Sequence, residues 1–429
     1  QVLVGALRLG GRGVFALDIT NRAGGNDAPS AMWEFSNVDP GGGGTDCAPG
    51  ARFCSSLGYT YESANIARIA HNNRWVALVS SGYFPKDTLD PASQSPKASQ
   101  TSLLVIDLAN GTLIREIRTN QAPQFGQATA TYGLSQPIVY DIGSDQIADV
   151  AIAGDLAGNL WRFDLSATNP ADWRVDLVFR TYGAGGAALA GDQPLSSAPV
   201  VMRDPARRAA MFVFGSGKFI GLPDRVASIP QQAFFGVRDY GTCNPSAPVA
   251  GVNPCTIYPI QPNQLVVQTL SQDGSGRRNI TNPLPVGDND RGWRIRLNIA
   301  SEPGERSSGI PFPFYSANLV LLRSIIPKGV DPCDPGARYG FMVVRADTGT
   351  APEVLDAGTG TRTPVPVGGV ISAPRPIADP VSKVGGGNVV LVGLPPGIDP
   401  ALVQAITTAL NQADSVWHRN SWRELQLDR

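Results

Sequence analysis

With 429 residues and a formal net charge of -1, from 35 basic and 36 acidic side chains, the chain has no broad field to attract nucleic acid or an anionic membrane. Its 48 glycines and 36 prolines oppose long helices and imply many tight turns, and no apolar run reaches the length that spans a bilayer. The length fits two or three ordinary domains or one large all-β domain, and the even strand spacing favours a single domain over 1–429.

The chain opens on Gln1-Val2-Leu3-Val4, already in a strand and with neither initiator Met nor leader, as expected of a piece of a longer protein. Strands are predicted at Val2–Gly5, Val14–Asp18 and Met32–Phe35, followed by a Gly-rich stretch from Gly41 to Cys54. Ile66–Ile69 and Trp75–Val79 form a hairpin turned at Asn72-Asn73, and Leu103–Asp107 and Leu113–Ile117 flank the turn Ala109-Asn110-Gly111-Thr112. Later members are 137–140, 150–153, 160–164, 210–214, 234–239, 293–297, 319–322, 341–344 and 389–392.

The phrase apolar-apolar-x-Leu/Ile/Phe-Asp recurs before polar turns, as Ala16-Leu17-Asp18, Val105-Ile106-Asp107 and Arg162-Phe163-Asp164. Short strands repeated in this way indicate the radial repetition of a β-propeller, whose blades hold four strands in about 40 to 50 residues. Trp33, Trp75, Trp161, Phe163 and Trp293 are expected in its core. The one predicted helix spans 399–412, with Asp399 as N-cap, Pro400 in the first position and Leu402, Ile406 and Leu410 on one face.

Five cysteines fall as Cys47 with Cys54, Cys243 with Cys255, and Cys333 alone. Without CxxC or histidine spacing the pairs read as local disulfides in an oxidising compartment, leaving Cys333 free or bonded elsewhere. The histidines, His71 and His418, stand in no catalytic motif, and a lone turn histidine is ordinarily a solvated one. Gly11-Arg12-Gly13 and Gly215-Ser216-Gly217-Lys218 open no predicted helix, so they read as turn glycines rather than phosphate cradles.

The chemistry concentrates in Tyr140–Leu165. Between two apolar strands the loop carries Asp141, Asp145 and Asp149, which with the Ile147 carbonyl offer hard oxygen ligands to calcium. Gly143 in the third position supplies no side-chain oxygen, and Ile152 replaces a bidentate glutamate in the twelfth. The competing reading is a solvated turn, against which stands the mutual repulsion of three carboxylates within nine residues.

These residues carry a resemblance. Gly154-Asp155-Leu156-Ala157-Gly158-Asn159-Leu160-Trp161-Arg162-Phe163-Asp164-Leu165 behind the aspartate loop resembles the PilY/PilC family of type IV pilus biogenesis proteins and tip adhesins, and so do Gly11–Asp18, Trp33–Phe35, Gly58–Thr60, Phe214–Phe219, Arg291–Trp293 and Asn420–Leu425. The resemblance implies a modified seven-bladed β-propeller of quinoprotein-like type, with loop insertions and a short C-terminal helix. It implies a calcium site with Asp141, Asp145 and Asp149 as carboxylate ligands, Ile147 as carbonyl ligand and Gly143 where relatives hold Asn or Asp. The implied function is non-enzymatic: pilus assembly, extension against retraction, twitching motility and adhesion at the cell surface, pilus tip or outer membrane after export through the periplasm. Minor pilins are the implied partners, with host-cell or abiotic surfaces beyond them. A quinone-dependent dehydrogenase-type propeller is the alternative; the chain has no adjacent Cys-Cys pair of the kind such enzymes carry.

Overall fold

A computed structural model of the chain describes residues 1–20, 28–61, 64–83, 101–128, 130–182, 192–226, 229–241, 258–281, 283–307, 309–327, 337–356, 358–372, 381–382, 391–392 and 400–412. The expected Cys243–Cys255 pair, Cys333, His418, Asp399 and the phrase 420–425 lie outside them. The architecture is mostly β with one short helix, and its contacts divide it into two compact units, Gln1–Arg180 with Pro194–Ala198, and Thr181–Gln193 with Pro199–Arg419.

The first unit holds three antiparallel sheets in which consecutive strands pair, as in propeller blades. One joins β1 (Val2–Ala6), β2 (Gly13–Asp18) and β3 (Ser30–Ser36); the next β4 (Asn65–Arg68), β5 (Trp75–Ser80), β6 (Ser102–Asp107) and β7 (Leu113–Arg118). The last runs β8 (Ile138–Tyr140), β9 (Val150–Gly154), β10 (Asn159–Asp164) and β11 (Arg174–Arg180). Alternating side chains fill the layers between sheets: Val14, Ala16, Trp33 and Phe35 meet Ala77, Val79, Leu104 and Ile106, while Leu78, Leu103 and Val105 meet Ala151, Ala153, Trp161 and Phe163.

In the second unit the strands are β12 (Val200–Asp204), β13 (Ala209–Gly215), β14 (Ala233–Asp239), β15 (Val266–Gln272), β16 (Arg277–Thr281), β17 (Gly292–Arg296), β18 (Arg306–Ser307), β19 (Phe312–Phe314), β20 (Leu319–Ile326), β21 (Arg338–Arg345), β22 (Glu353–Leu355), β23 (Arg362–Pro364), β24 (Gly368–Ser372), β25 (Val381–Ser382) and β26 (Leu391–Val392). A continuous sheet runs β12-β13-β14-β17-β15-β16-β24-β21-β20-β18, with β19 also on β20. Helix α1 (Pro400–Gln412) buries Leu402, Ile406, Ala409 and Leu410, the predicted face, against Phe314, Leu321, Phe341 and Val343.

One joint recurs in both units. The Trp33 indole N–H donates to the Leu108 carbonyl at 2.8 Å, and the ring lies where a Cβ on Gly111 would stand, 2.5 Å from its Cγ. In the second unit Trp293 donates to the Ala346 carbonyl at 2.9 Å, its ring filling the space beside Gly349. Both glycines have left-handed φ, 72° and 67°, so each turn after an Asp phrase is shaped to receive a tryptophan from another strand.

Trp33, Trp161, Phe163 and Trp293 are buried as expected. Trp75 is not: it is 43 % exposed, because it opens β5 just after the turn at His71–Asn73. The Cys47–Cys54 bond is present. It closes the Gly-rich loop, which is pinned to β3 by the Cys54 N–H on Ser36 O (2.9 Å) and to β7 by the Gly50 N–H on Leu113 O (2.7 Å). Asn72 and Asn73 carry the left-handed φ values that make their hairpin turn, 51° and 55°.

Candidate metal centre

Strands β8 and β9 pair in register from Ile138↔Ile152 to Tyr140↔Val150, and the Asp149 N–H on Tyr140 O closes the loop between them at 3.2 Å. Three aspartates in so short a loop cannot all find side-chain donors, so they take the loop's own amides. Asp141 accepts from the N–H groups of Ser144 (2.6 Å), Asp145 (3.4 Å) and Gln146 (2.8 Å). Asp149 accepts from Ile142 at 2.7 Å and Gly143 at 3.2 Å, and Asp145 from Ile147 at 2.9 Å. Ser144 and Gln146 adopt left-handed φ of 58° and 68° to turn those amides inward.

The loop is fixed from below. Ala148 is buried, its N–H on Arg68 O at 2.8 Å, and the Asp149 carbonyl accepts from Leu165 N–H at 2.7 Å. What remains is oxygen: Asp145 Oδ2, Asp149 Oδ1 and the Ile147 carbonyl accept no hydrogen bond from a described residue. Burial pushes the Asp149 carboxyl above its ordinary pKa, the amides of Ile142 and Gly143 oppose this, and repulsion from Asp141 and Asp145 adds to it. A hard cation would relieve that repulsion, and the free donors are the right chemistry for calcium. The three carboxylates are not gathered to a single point; among the described residues the trio of ligand atoms lying within 4.8 Å of one another is Asp46, Cys47 and Cys54, which the disulfide occupies. Gly143 does not hold a left-handed φ, and a Cβ there would sit 3.7 Å from the Asp145 carboxyl carbon, an ordinary contact.

At the end of β9 away from the loop stands a group that the sequence does not mark as special. Asp155 is fully buried with no ion pair among the described residues, accepting from Asn159 N–H (2.9 Å), Asn159 Nδ2 (2.8 Å), Trp161 Nε1 (2.8 Å) and Thr131 Oγ1 (3.0 Å). Burial pushes its pKa up to about 6, against the lowering effect of those four donors. The folded state therefore holds a proton between pH 4 and 6 that the unfolded chain releases. The associated stability, about 3 kcal/mol, is complete below the unfolded pKa near 4 and lost as pH rises through about 6. Melting wild type and Asp155→Asn at pH 4.5 and 7 should show the wild type losing stability relative to the variant at the higher pH; parallel behaviour would refute a buried, titrating carboxyl.

The other candidates settle into structural roles. His71 is held by Thr168 O at 2.8 Å and edge-on to Trp173, so it is tethered rather than simply solvated. Cβ atoms on Gly215 and Gly217 would strike Ser307 and Arg306, and Lys218 faces Asp224 at 3.6 Å: these glycines serve close packing, and Gly215 ends strand β13 rather than forming the expected turn.

The model of the PilY1 beta-propeller domain family matches residues 1–255. The type IV pilus biogenesis factor PilY1 of Pseudomonas aeruginosa PAO1 is 32 % identical over 368 residues, covering 78 % of this chain and 28 % of that protein. A PilY1 homolog of Xylella fastidiosa is 26 % identical over 438 residues, covering 99 % of this chain and 30 % of its own. The chain thus spans under a third of the length of these relatives. The crystal structure of the P. aeruginosa PilY1 C-terminal domain shares the fold, with TM-score 0.61 at 22 % identity, over 90 % of this chain and 77 % of that one.

Proposed function

Because the chain belongs to the PilY1 β-propeller domain family, we propose that it is a non-catalytic, calcium-responsive module of a type IV pilus biogenesis factor. In this reading it works at the cell surface with minor pilins, in assembly, in the balance of extension and retraction behind twitching, and in adhesion to host or abiotic surfaces. The observation that carries it is the family match over residues 1–255, a span that includes the Asp141–Asp149 loop. Calcium would be held by Asp141, Asp145, Asp149 and the Ile147 carbonyl, with water completing a shell that Gly143 leaves short.

Binding to the folded state alone stabilises it by about 3 kcal/mol when calcium is a hundredfold above Kd. Melts in calcium and in chelator should differ for the wild type and coincide for Asp149→Ala. Gly143→Asp, which the backbone accepts without strain, should tighten binding about tenfold or more by adding a ligand. Full-length protein carrying Asp149→Ala should be made and exported but fail to support normal twitching. Equal wild-type melts with and without calcium, and no heat of calcium binding, would reduce the loop to an acidic turn while leaving the pilus assignment to the twitching assay.

A further inference from the structure

Two phrases that stand far apart in the sequence, Gly11–Asp18 and Gly58–Thr60, meet at the loop between β1 and β2. Thr60 is buried and locks that loop: its hydroxyl donates to Gly13 O at 2.6 Å and accepts the Leu7 N–H at 3.1 Å, while its carbonyl accepts the Arg8 N–H at 3.0 Å. With Thr60 pointing inward, its neighbours Tyr59 and Tyr61 present their rings on the other side. Each ring carries an arginine. The Arg12 guanidinium lies 4.9 Å from the Tyr59 centroid and that of Arg8 5.2 Å from Tyr61, with Arg8 Nε also donating to Tyr61 O at 3.2 Å.

Neither guanidinium meets a carboxylate among the described residues. Arg8 also holds a left-handed φ of 54°, a conformation that costs a non-glycine residue about 1–2 kcal/mol and persists here at the surface. On either side of it Leu7 and Leu9 are 47 % and 50 % exposed. Contact with the tyrosine faces restrains both guanidinium groups, so less rotamer freedom remains to be lost on binding.

We infer that the Leu7–Arg12 loop with Tyr59 and Tyr61 is a docking surface for an acidic protein segment interspersed with apolar side chains. Charge complementarity names the occupant: carboxylates pair with the guanidinium groups of Arg8 and Arg12 in forked hydrogen bonds, and apolar residues between them cover Leu7 and Leu9. Arginine and tyrosine held in place beside exposed leucine are the composition of an interface centre rather than of an ordinary solvated loop. The surface is independent of the calcium loop.

Fluorescence anisotropy with a labelled peptide alternating glutamate and leucine tests it on the whole chain, with the matching lysine–leucine peptide and phosphatidylglycerol vesicles as the other arms. The glutamate peptide should bind and weaken as salt rises. Arg8→Ala with Arg12→Ala should weaken it tenfold or more. Arg8→Lys with Arg12→Lys, which keeps the charge and the fold but not the stacked fork, should lose most of that affinity as well. No binding of the glutamate peptide, equal binding of the lysine peptide, unchanged affinity in the alanine pair, or binding to the vesicles alone would each overturn the proposal.

Discussion

Glu305→Ala should lower the stability of the second unit by about 3–5 kcal/mol, as removal of one partner from a buried ion pair does elsewhere. Glu305 and Arg278 both have fully buried side chains and meet through two parallel bonds of 2.7 and 2.8 Å. Gln272 Oε1 takes the Arg278 Nε–H at 2.9 Å, and the Ser324 hydroxyl donates to Glu305. Without the carboxylate, a guanidinium is left in the sheet with nothing to balance it. The variant Arg278→Met with Glu305→Leu removes both charges and should recover much of the loss. Urea unfolding followed through Trp293 fluorescence measures both. A loss under about 1 kcal/mol for Glu305→Ala would mean that water reaches the pair.

Trp293→Ala should be comparably damaging, about 3–5 kcal/mol, because the indole is fully buried and serves two neighbours at once. Its ring occupies the space that a Cβ on Gly236 would need, across the β14–β17 register, and the corresponding space at Gly349. Gly349→Ala should cost less, about 1–3 kcal/mol, combining overpacking with a φ of 67° that alanine resists. Thermal melts of the two variants should rank in that order; a Gly349→Ala protein as stable as wild type would show that the tryptophan is not seated as described.

Much of this architecture could be read from the residues. Where a strand was a run of apolar residues that ended in Asp and a turn, as in Leu103–Asp107 or Leu160–Asp164, its existence and nearly its limits were legible, and so was the buried face of α1. Several strands escaped notice. Some, such as β11 and β12, are apolar and buried, whereas two are polar: β15 reads Val-Val-Gln-Thr-Leu-Ser-Gln and β16 Arg-Arg-Asn-Ile-Thr. Their arginines and glutamines pass for solvent-facing residues until folding brings Glu305 to Arg278. Arg306 hides likewise, its guanidinium buried among the carbonyls of Lys218, Asp224, Val226 and Gly304, partners that any residue type supplies. At the acidic loop the position between two apolar strands was legible, whereas the capture of Asp141 and Asp149 by the loop's own amides depends on backbone angles that side-chain identities do not announce. Asp155 was in plain view within its phrase, but its burial depends on Thr131 from a distant segment.

The tryptophan joints also bear on how such a chain drifts over generations. A side chain at Gly111 has nowhere to go while Trp33 is present, and a smaller residue in place of Trp33 leaves a hole that Gly111 cannot fill. Neither position can change first without loss, so the two are inherited as one character despite their distance in the chain, and the same holds for Trp293 with Gly349. The connecting loops are under no such bond. Descendants should therefore diverge by lengthening and rewriting loops around paired positions that stay put, and a search for remote relatives does better with those pairs than with overall identity.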